Sequence, residues 1–550
     1  MTDIREYIDS PLDVINRLFE SHKASVDGSG HTAAAEIGKV VQADFQDMFK
    51  THESLGQIPL VNGSWSGVKP QTLVRFQCMV QDPGYGEELH LSLAQVSKDG
   101  EKMHKFSHYT DRNHELGEGW EIDYSSPHNV FTEKEVAYCV SVPGQRNGVD
   151  DAMQMLSVGG LKSVGEKYPL KGEPHVAALV KFYAPAHAPR ASRLVDVVGV
   201  YEPGFNSKTE DYQGEWPCIH AIFYTEGLDT ESAELSAKEF EQGRDLALSH
   251  LTAVLGGDQL AAQFLLLHLL SCTANVQGAK VGKYSLNLIG FPSQASEGSG
   301  RFALRNSSTR RIADALEQLL PRVVELPFDL KLLNGAVFVP SAESGDLHSG
   351  VLQLPPGTEI ICDETCLDEG TLGERGVKNL HALQTVIMDQ SVSFQYPYQP
   401  VPMDTDVRVL VLSAGKSILH NDCDVYLSSE LCSLLAKAQD EPPVVLDPLH
   451  RDQIRQYLAS ARNLEFRVPQ AVSEKISEEY AESRKQAHAT GAKMMTQTEL
   501  SGVITVARLV SIAKGEAELT MESWGEANEL EQARVARNSQ AKPASKEPAR

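Results

Sequence analysis

A chain of 550 residues with 41% hydrophobic and 7% aromatic content carries ample apolar material for cores, and such a length corresponds to about three or four domains. A formal net charge of -25 excludes the chain as a whole from gripping a phosphate backbone, because that affinity comes from lysines and arginines displacing counterions. No apolar run approaches the ~20 residues that cross a bilayer, and the acidic start MTDIREYIDSPLD lacks the basic and apolar regions of a secretory signal, so an intracellular protein without a membrane span is expected.

Ile8, Leu12, Ile15 and Phe19 fall near helical spacing and predict an amphipathic helix over residues 4–19 that docks on the adjoining domain. Gly28-Ser29-Gly30-His31-Thr32-Ala33 matches the GxGxxA dinucleotide fingerprint, yet no strand precedes it and no βαβ unit surrounds it, so it reads as a linker. From Leu73 the pattern turns to strands, at 73–82, 88–96 and 136–142. His104, His108 and His114 lie between them without an obvious carboxylate to orient a ligand and read as surface or structural histidines. Residues 1–145 are thus a helix plus a β-rich domain, 146–165 a small-residue linker, and 166–230 a second, small OB-like region with strands HVAALVKFY, RLVDVVGVYE and CIHAIFY. Few aromatics and an acidic balance deny that region a stacking groove for single strands.

Residues 231–440 read as an α/β core. Phe240, Ala247, Leu251 and Val254 share one helical stripe, and Asp258 caps a second helix, DQLAAQFLLLHLLSC, that is apolar nearly all round and must be buried, with His268 as a hydrogen-bonded core residue. YSLNLIGFP is a strand ending at Gly290, followed by the polar loop SQASEGSGR and a helix carrying Ile312, Ala315, Leu316 and Leu319. A P-loop would sit here, but the glycine, lysine and hydroxyl it needs are not seen in register. Ile360-Ile361-Cys362 is a buried strand delivering Asp363 and Glu364 to its C-terminal end, where a P-loop ATPase keeps the carboxylates that hold the magnesium shell and position water. Gly415-Lys416-Ser417 follows a later strand, VRVLVL, and is a decoy, since Leu410 stands where the leading glycine is required. Asp447-Pro448 opens the first of four helices that make a lid-like bundle over 441–530, and the polar tail 531–550 is expected to be disordered. The eight cysteines contain no CxxC pair and read as reduced; Cys362 and Cys366 lack a second pair at finger spacing, and no metal is assigned.

Strand, defective loop, helix, strand with Asp-Glu, helix, strands and helical bundle is the order of an AAA+ module. VRFQCMVQD, GGDQLAAQFLLLHLLS, YSLNLIGFP, GVLQLPPGTEIICDETCLDEGTLGERGVKNLHAL and ITVARLVSIAKGEAELTMESW make the chain resemble the minichromosome maintenance (MCM) complex-binding protein family. The resemblance implies a multidomain α/β protein with a β-rich N-terminal region, a degenerate AAA+/MCM-like module and a helical bundle. It implies a nuclear, non-catalytic partner of the MCM replicative helicase, acting in assembly, stabilisation or unloading of MCM complexes and supporting sister-chromatid cohesion, with chromatin met only indirectly. Gly290, Asp363 and Glu364 would be the vestiges of a nucleotide site, with Ala414 at the place of a polar strand-end residue. No catalytic residue and no cofactor is assigned; the alternatives are an NTPase with an unconventional phosphate loop and a single-strand-binding protein.

Overall fold

The computed structural model describes residues 4–541 apart from 27–30, 62, 113–115, 146–166, 185, 207–214, 228–234, 277–278, 293–306, 344, 368, 436–443 and 492–493. The linker expected at 146–165, the polar loop after Gly290, His114 and the glycines of the GxGxxA match fall outside the described residues.

Three helices open the chain: α1 (Ile4–Asp9), α2 (Pro11–Val26) and α3 (His31–Met48). The predicted first helix is thus two helices, because Pro11 lacks the amide that would continue α1 and sits instead in the first turn of α2. Tyr7, Ile15 and Phe19 join Ile37, Val41 and Phe45 in one core that packs on the neighbouring β-strands.

Those strands are β1 (Leu73–Lys98), β2 (Glu101–Phe106), β3 (Val130–Ser141), β4 (Ala177–Tyr183), β5 (Leu194–Asn206) and β6 (Glu215–Glu226). They run in the order β2-β1-β3-β4-β6-β5, and β5 returns to pair with β1, so five strands close into a barrel. Closure corrects the reading of two separate β regions. Leu73 to Met79 pair with Val200 to Leu194, and Lys134 to Val140 pair with Tyr183 to Ala177, so the strands of the two regions are hydrogen-bonded into one barrel. Val74, Phe76, Val180, Phe182, Ile219 and Ala221 fill the interior.

The second half begins with α4 (Ala237–Val254) and α5 (Gln259–Leu270), the latter capped by Asp258, whose side chain accepts from the Ala261 amide. Then come β7 (Leu286–Ile289), α6 (Ser307–Leu319), β8 (Val323–Pro327), β9 (Glu359–Asp363), α7 (Glu374–Asp389), β10 (Arg408–Ser413) and β11 (Cys423–Tyr426). The sheet order is β8-β9-β10-β7-β11 and every neighbouring pair is parallel. Parallel strands are covered on both faces, which is why they read as continuous apolar runs. Ile361, Leu410 and Leu412 face α4, α5 and α6, whereas Ile360, Cys362 and Val411 face α7.

Four helices finish the chain: α8 (Pro448–Arg462), α9 (Gln470–Thr490), α10 (Gln497–Ala513) and α11 (Met521–Ala541). They share one core with α4 to α6 rather than forming a separate lid. Gly243 of α4 meets Tyr457 of α8 so closely that a Cβ there would lie 2.6 Å from the tyrosine Cβ. The tail expected to be disordered from residue 531 is helical to Ala541. Its polar residues have acceptors and donors to satisfy: Arg534 and Asn538 donate to the Asp424 carbonyl at 3.0 and 2.8 Å, and Tyr426 N donates to Asn538 Oδ1 at 3.2 Å, covering the edge of β11. The barrel and the parallel sheet are likewise fused. Met79, Tyr138 and Trp216 pack with Val324, Phe328 and Leu352, and Gln81 and Gln353 exchange hydrogen bonds across the junction. Among the described residues no helix is long and apolar enough to cross a membrane.

Candidate functional site

Parallel sheets present their sites at the carboxyl ends of the strands, and β7, β9 and β10 end at one rim. Asp363 closes β9 and is buried. Its Oδ1 accepts from the Thr365 amide at 3.0 Å and the Thr365 hydroxyl at 2.6 Å; its Oδ2 accepts from the Thr309 hydroxyl at 2.6 Å, with Cys366 Sγ 3.6 Å away. Thr309 stands in the first turn of α6, where a P-loop places the hydroxyl that shares magnesium with the strand-end aspartate. The residue before Thr309, where a working loop would keep its lysine, is Ser308. Both carboxylate oxygens are engaged by neutral donors, so Asp363 works as a local cap.

Glu364, its neighbour in the chain, points elsewhere. Ser417 donates to its Oε1 at 2.8 Å. Burial pushes its carboxyl up to about 7 against the pull of the Ser417 hydroxyl and the Ile418 and Leu419 amides. The pair is split: one carboxylate ties α6 to β9, the other ties the turn after β10. Ser417, part of the GKS decoy, is absorbed in that tie, and Lys416 is exposed. Gly290 sits at the same rim with φ 118°, and a Cβ would lie 2.9 Å from Cys432 Sγ, so a larger residue would be strained there and would displace the cysteine side chain. The polar residue ending β10 is Ser413, one place before Ala414; its hydroxyl donates to Asn287 Oδ1 at 2.8 Å, while Ala414 is exposed.

At the opposite end of the sheet, His268 is the buried core histidine the sequence predicts. Its Nδ1 lies 2.7 Å from the Tyr284 carbonyl and its Nε2 2.8 Å from Glu359 Oε1, while Arg408 Nε donates to Glu359 Oε2 at 2.8 Å. Glu359 and Arg408 open β9 and β10, and sequence spacing alone does not pair them. His108 is also structural. It is buried against Tyr109 and Tyr183, and burial pushes its imidazole down to about 3.

The model of the mini-chromosome maintenance replisome factor family matches residues 45–157 and 150–538. The chain belongs to that family. The resemblance carried by the GVLQLP segment and its companions therefore holds, and the family match takes in the barrel, the parallel sheet and nearly all of α11. Proteins named mini-chromosome maintenance complex-binding protein from Arabidopsis thaliana and Danio rerio are 28% and 25% identical to it, over 92% and 98% of this chain and 95% and 99% of their own lengths. The Homo sapiens protein of that name is 24% identical over 98% of both chains.

Proposed function

We propose that this member of the family is a non-catalytic partner of the hexameric MCM helicase, resident in the nucleus, that acts in assembly, stabilisation or chromatin unloading of MCM complexes during DNA replication and so supports sister-chromatid cohesion. Family membership and the names of the relatives support the MCM partnership. The observation that carries the non-catalytic part is the engagement of Asp363 by Thr309 and Thr365 together with the turning of Glu364 to Ser417. A strand inserted between the loop strand β7 and the acidic strand β9 supports the reading of a degenerate AAA+ module, and the closed five-strand barrel supports an OB-like N-terminal domain. MCM subunits associate through their ATPase domains. A relative that keeps the packing surfaces and loses the chemistry would stand where a neighbouring subunit stands, and it would meet chromatin only through that subunit.

Co-purification of the tagged chain from dividing cells, with size exclusion and an ATPase assay on the same fractions, tests this. Stoichiometric MCM subunits without added turnover are the expected result; turnover without MCM would overturn it. The Thr309–Asp363 contact is an observation an unconventional NTPase would share, and micromolar ATP affinity lost on Asp363→Ala would decide for that reading.

A further inference from the structure

Outside the strand-end site the barrel carries a second polar cluster. Cys218 and His220 stand two residues apart on β6 and so share one face, and both are buried. The segment after β2 brings Asp111 against them: its Oδ2 lies 3.6 Å from His220 Nε2 and 3.8 Å from Cys218 Sγ, and that sulfur lies 3.9 Å from the same nitrogen. Glu202 of β5 places Oε2 3.3 Å from His220 Nε2. On the far side of the ring, Nδ1 is 2.6 Å from the Tyr183 hydroxyl, an outer partner of the kind that fixes the orientation of metal-binding histidines.

We propose that Asp111, Cys218 and His220, with Glu202 beside the fourth position, bind one zinc ion that pins the segment after β2 to the barrel wall. Donor geometry is the first argument. Around tetrahedral zinc, with sulfur at ~2.3 Å and nitrogen and oxygen at ~2.0 Å, neighbouring donors are roughly 3.3–3.6 Å apart. Among Asp111, Cys218 and His220 the observed separations of 3.6 to 3.9 Å need only a small contraction, while Glu202 Oε2, 3.3 Å from His220 Nε2, also accepts from the Asp111 amide at 3.0 Å.

Charge is the second argument. Glu88 completes the cluster, and Lys134 and Lys181 reach both it and Asp111: Lys134 at 3.6 and 2.7 Å, Lys181 at 2.6 and 2.7 Å. Three carboxylates thus face two ammonium groups. Arg112, 4.0 Å from Glu202, is half exposed, and its charge is screened by water. With Cys218 as thiolate and a divalent ion bound, four negative charges meet four positive ones. Each Asp111 oxygen has two lone pairs, so Oδ2 can bind the ion and still accept from Lys181. On loading, the Cys218 S–H bond breaks, its proton leaves to solvent and its electron pair forms the sulfur–zinc bond. A thiolate and an imidazole select zinc over magnesium or calcium.

The full chain, purified without chelator, is assayed for zinc by mass spectrometry, for thermal unfolding with and without a strong chelator, and for its absorption after exchange into cobalt(II). Expected are about one zinc per chain, a melting temperature that falls on chelation and recovers with zinc, and a thiolate-to-cobalt charge-transfer band. Cys218→Ser should abolish the band, Tyr183→Phe should weaken zinc binding by about 10–100-fold, and Cys432→Ser should change neither. Wild-type chain without zinc and with chelator-insensitive melting would overturn the proposal and leave the cluster as an ionic network. Zinc retained in full by both Cys218→Ser and His220→Ala would overturn it as well. Should those variants fail to fold, the wild-type metal content and cobalt spectrum decide.

Discussion

Asp363→Ala distinguishes a carboxylate that caps its surroundings from one kept for a metal. In the wild type that side chain accepts from two hydroxyls and one amide, all buried. Removing it takes the acceptor from three donors; a buried donor so deprived costs ~1–3 kcal/mol, and the two hydroxyls can rotate, so we expect a total of about 2–4 kcal/mol. For a cooperative unit of about 300 residues that corresponds to a fall in melting temperature of roughly 3–6 °C. Asp363→Asn keeps an acceptor for Thr365, and the Thr309 hydroxyl can reverse to accept from the new amide, so its loss should stay below about 1 kcal/mol. The assay is calorimetric or dye-monitored melting of the three proteins, each with and without magnesium-ATP. An alanine variant as stable as wild type or more so, or a wild-type melting temperature raised by magnesium-ATP, would refute the reasoning, because a working metal site keeps its carboxylate poised at a cost in stability.

Glu364 offers a pH test. Its folded carboxyl titrates near about 7 against an ordinary 4.5, so its contribution is full below pH 4.5 and is lost as pH rises to about 7. The loss should approach about 3 kcal/mol relative to Glu364→Gln, read from urea midpoints of both proteins between those pH values. Glu359→Ala strands Arg408 and His268 in the core and should cost about 3–5 kcal/mol in chemical denaturation. Burial pushes the Glu359 carboxyl up, but His268 and Arg408 outweigh it and hold it below the usual range, so its contribution is present above the ordinary glutamate value and is lost as pH falls through the lower folded one. Arg537 donates to both oxygens of Asp258, at 2.7 and 2.8 Å, and Arg537→Ala should cost about 1–2 kcal/mol and speed hydrogen exchange over residues 531–541.

Local pattern by itself determined much of the second half. Ile312, Ala315, Leu316 and Leu319 make a helical stripe, and all four are buried; Asp258 and Asp447-Pro448 start helices where capping chemistry says they should. The run through Ile360 and Cys362 is a buried strand with its acids at the C-terminal end, as its neighbours in sequence dictate. Two helical stretches were missed for opposite reasons. In α3 the stripe of Ala33, Ile37, Val41 and Phe45 stands directly after a glycine-rich break whose fingerprint-like spacing masks the helical period. The end of α11 has a tail-like composition, and its order comes from the bonds of Arg534, Arg537 and Asn538 to β11 and to the cap of α5.

Partner choice was decided only by tertiary structure. A strand's period shows which face is buried but not which of several equally patterned strands lies beside it, so closure of the barrel through β5 and β1 could not be read from either segment. The same limit hid the site. Thr309 and Asp363 are 54 residues apart, and Cys218 lies 107 residues from Asp111; residues so separated carry no shared period, and only the folding of the sheets brings their oxygens and sulfur together.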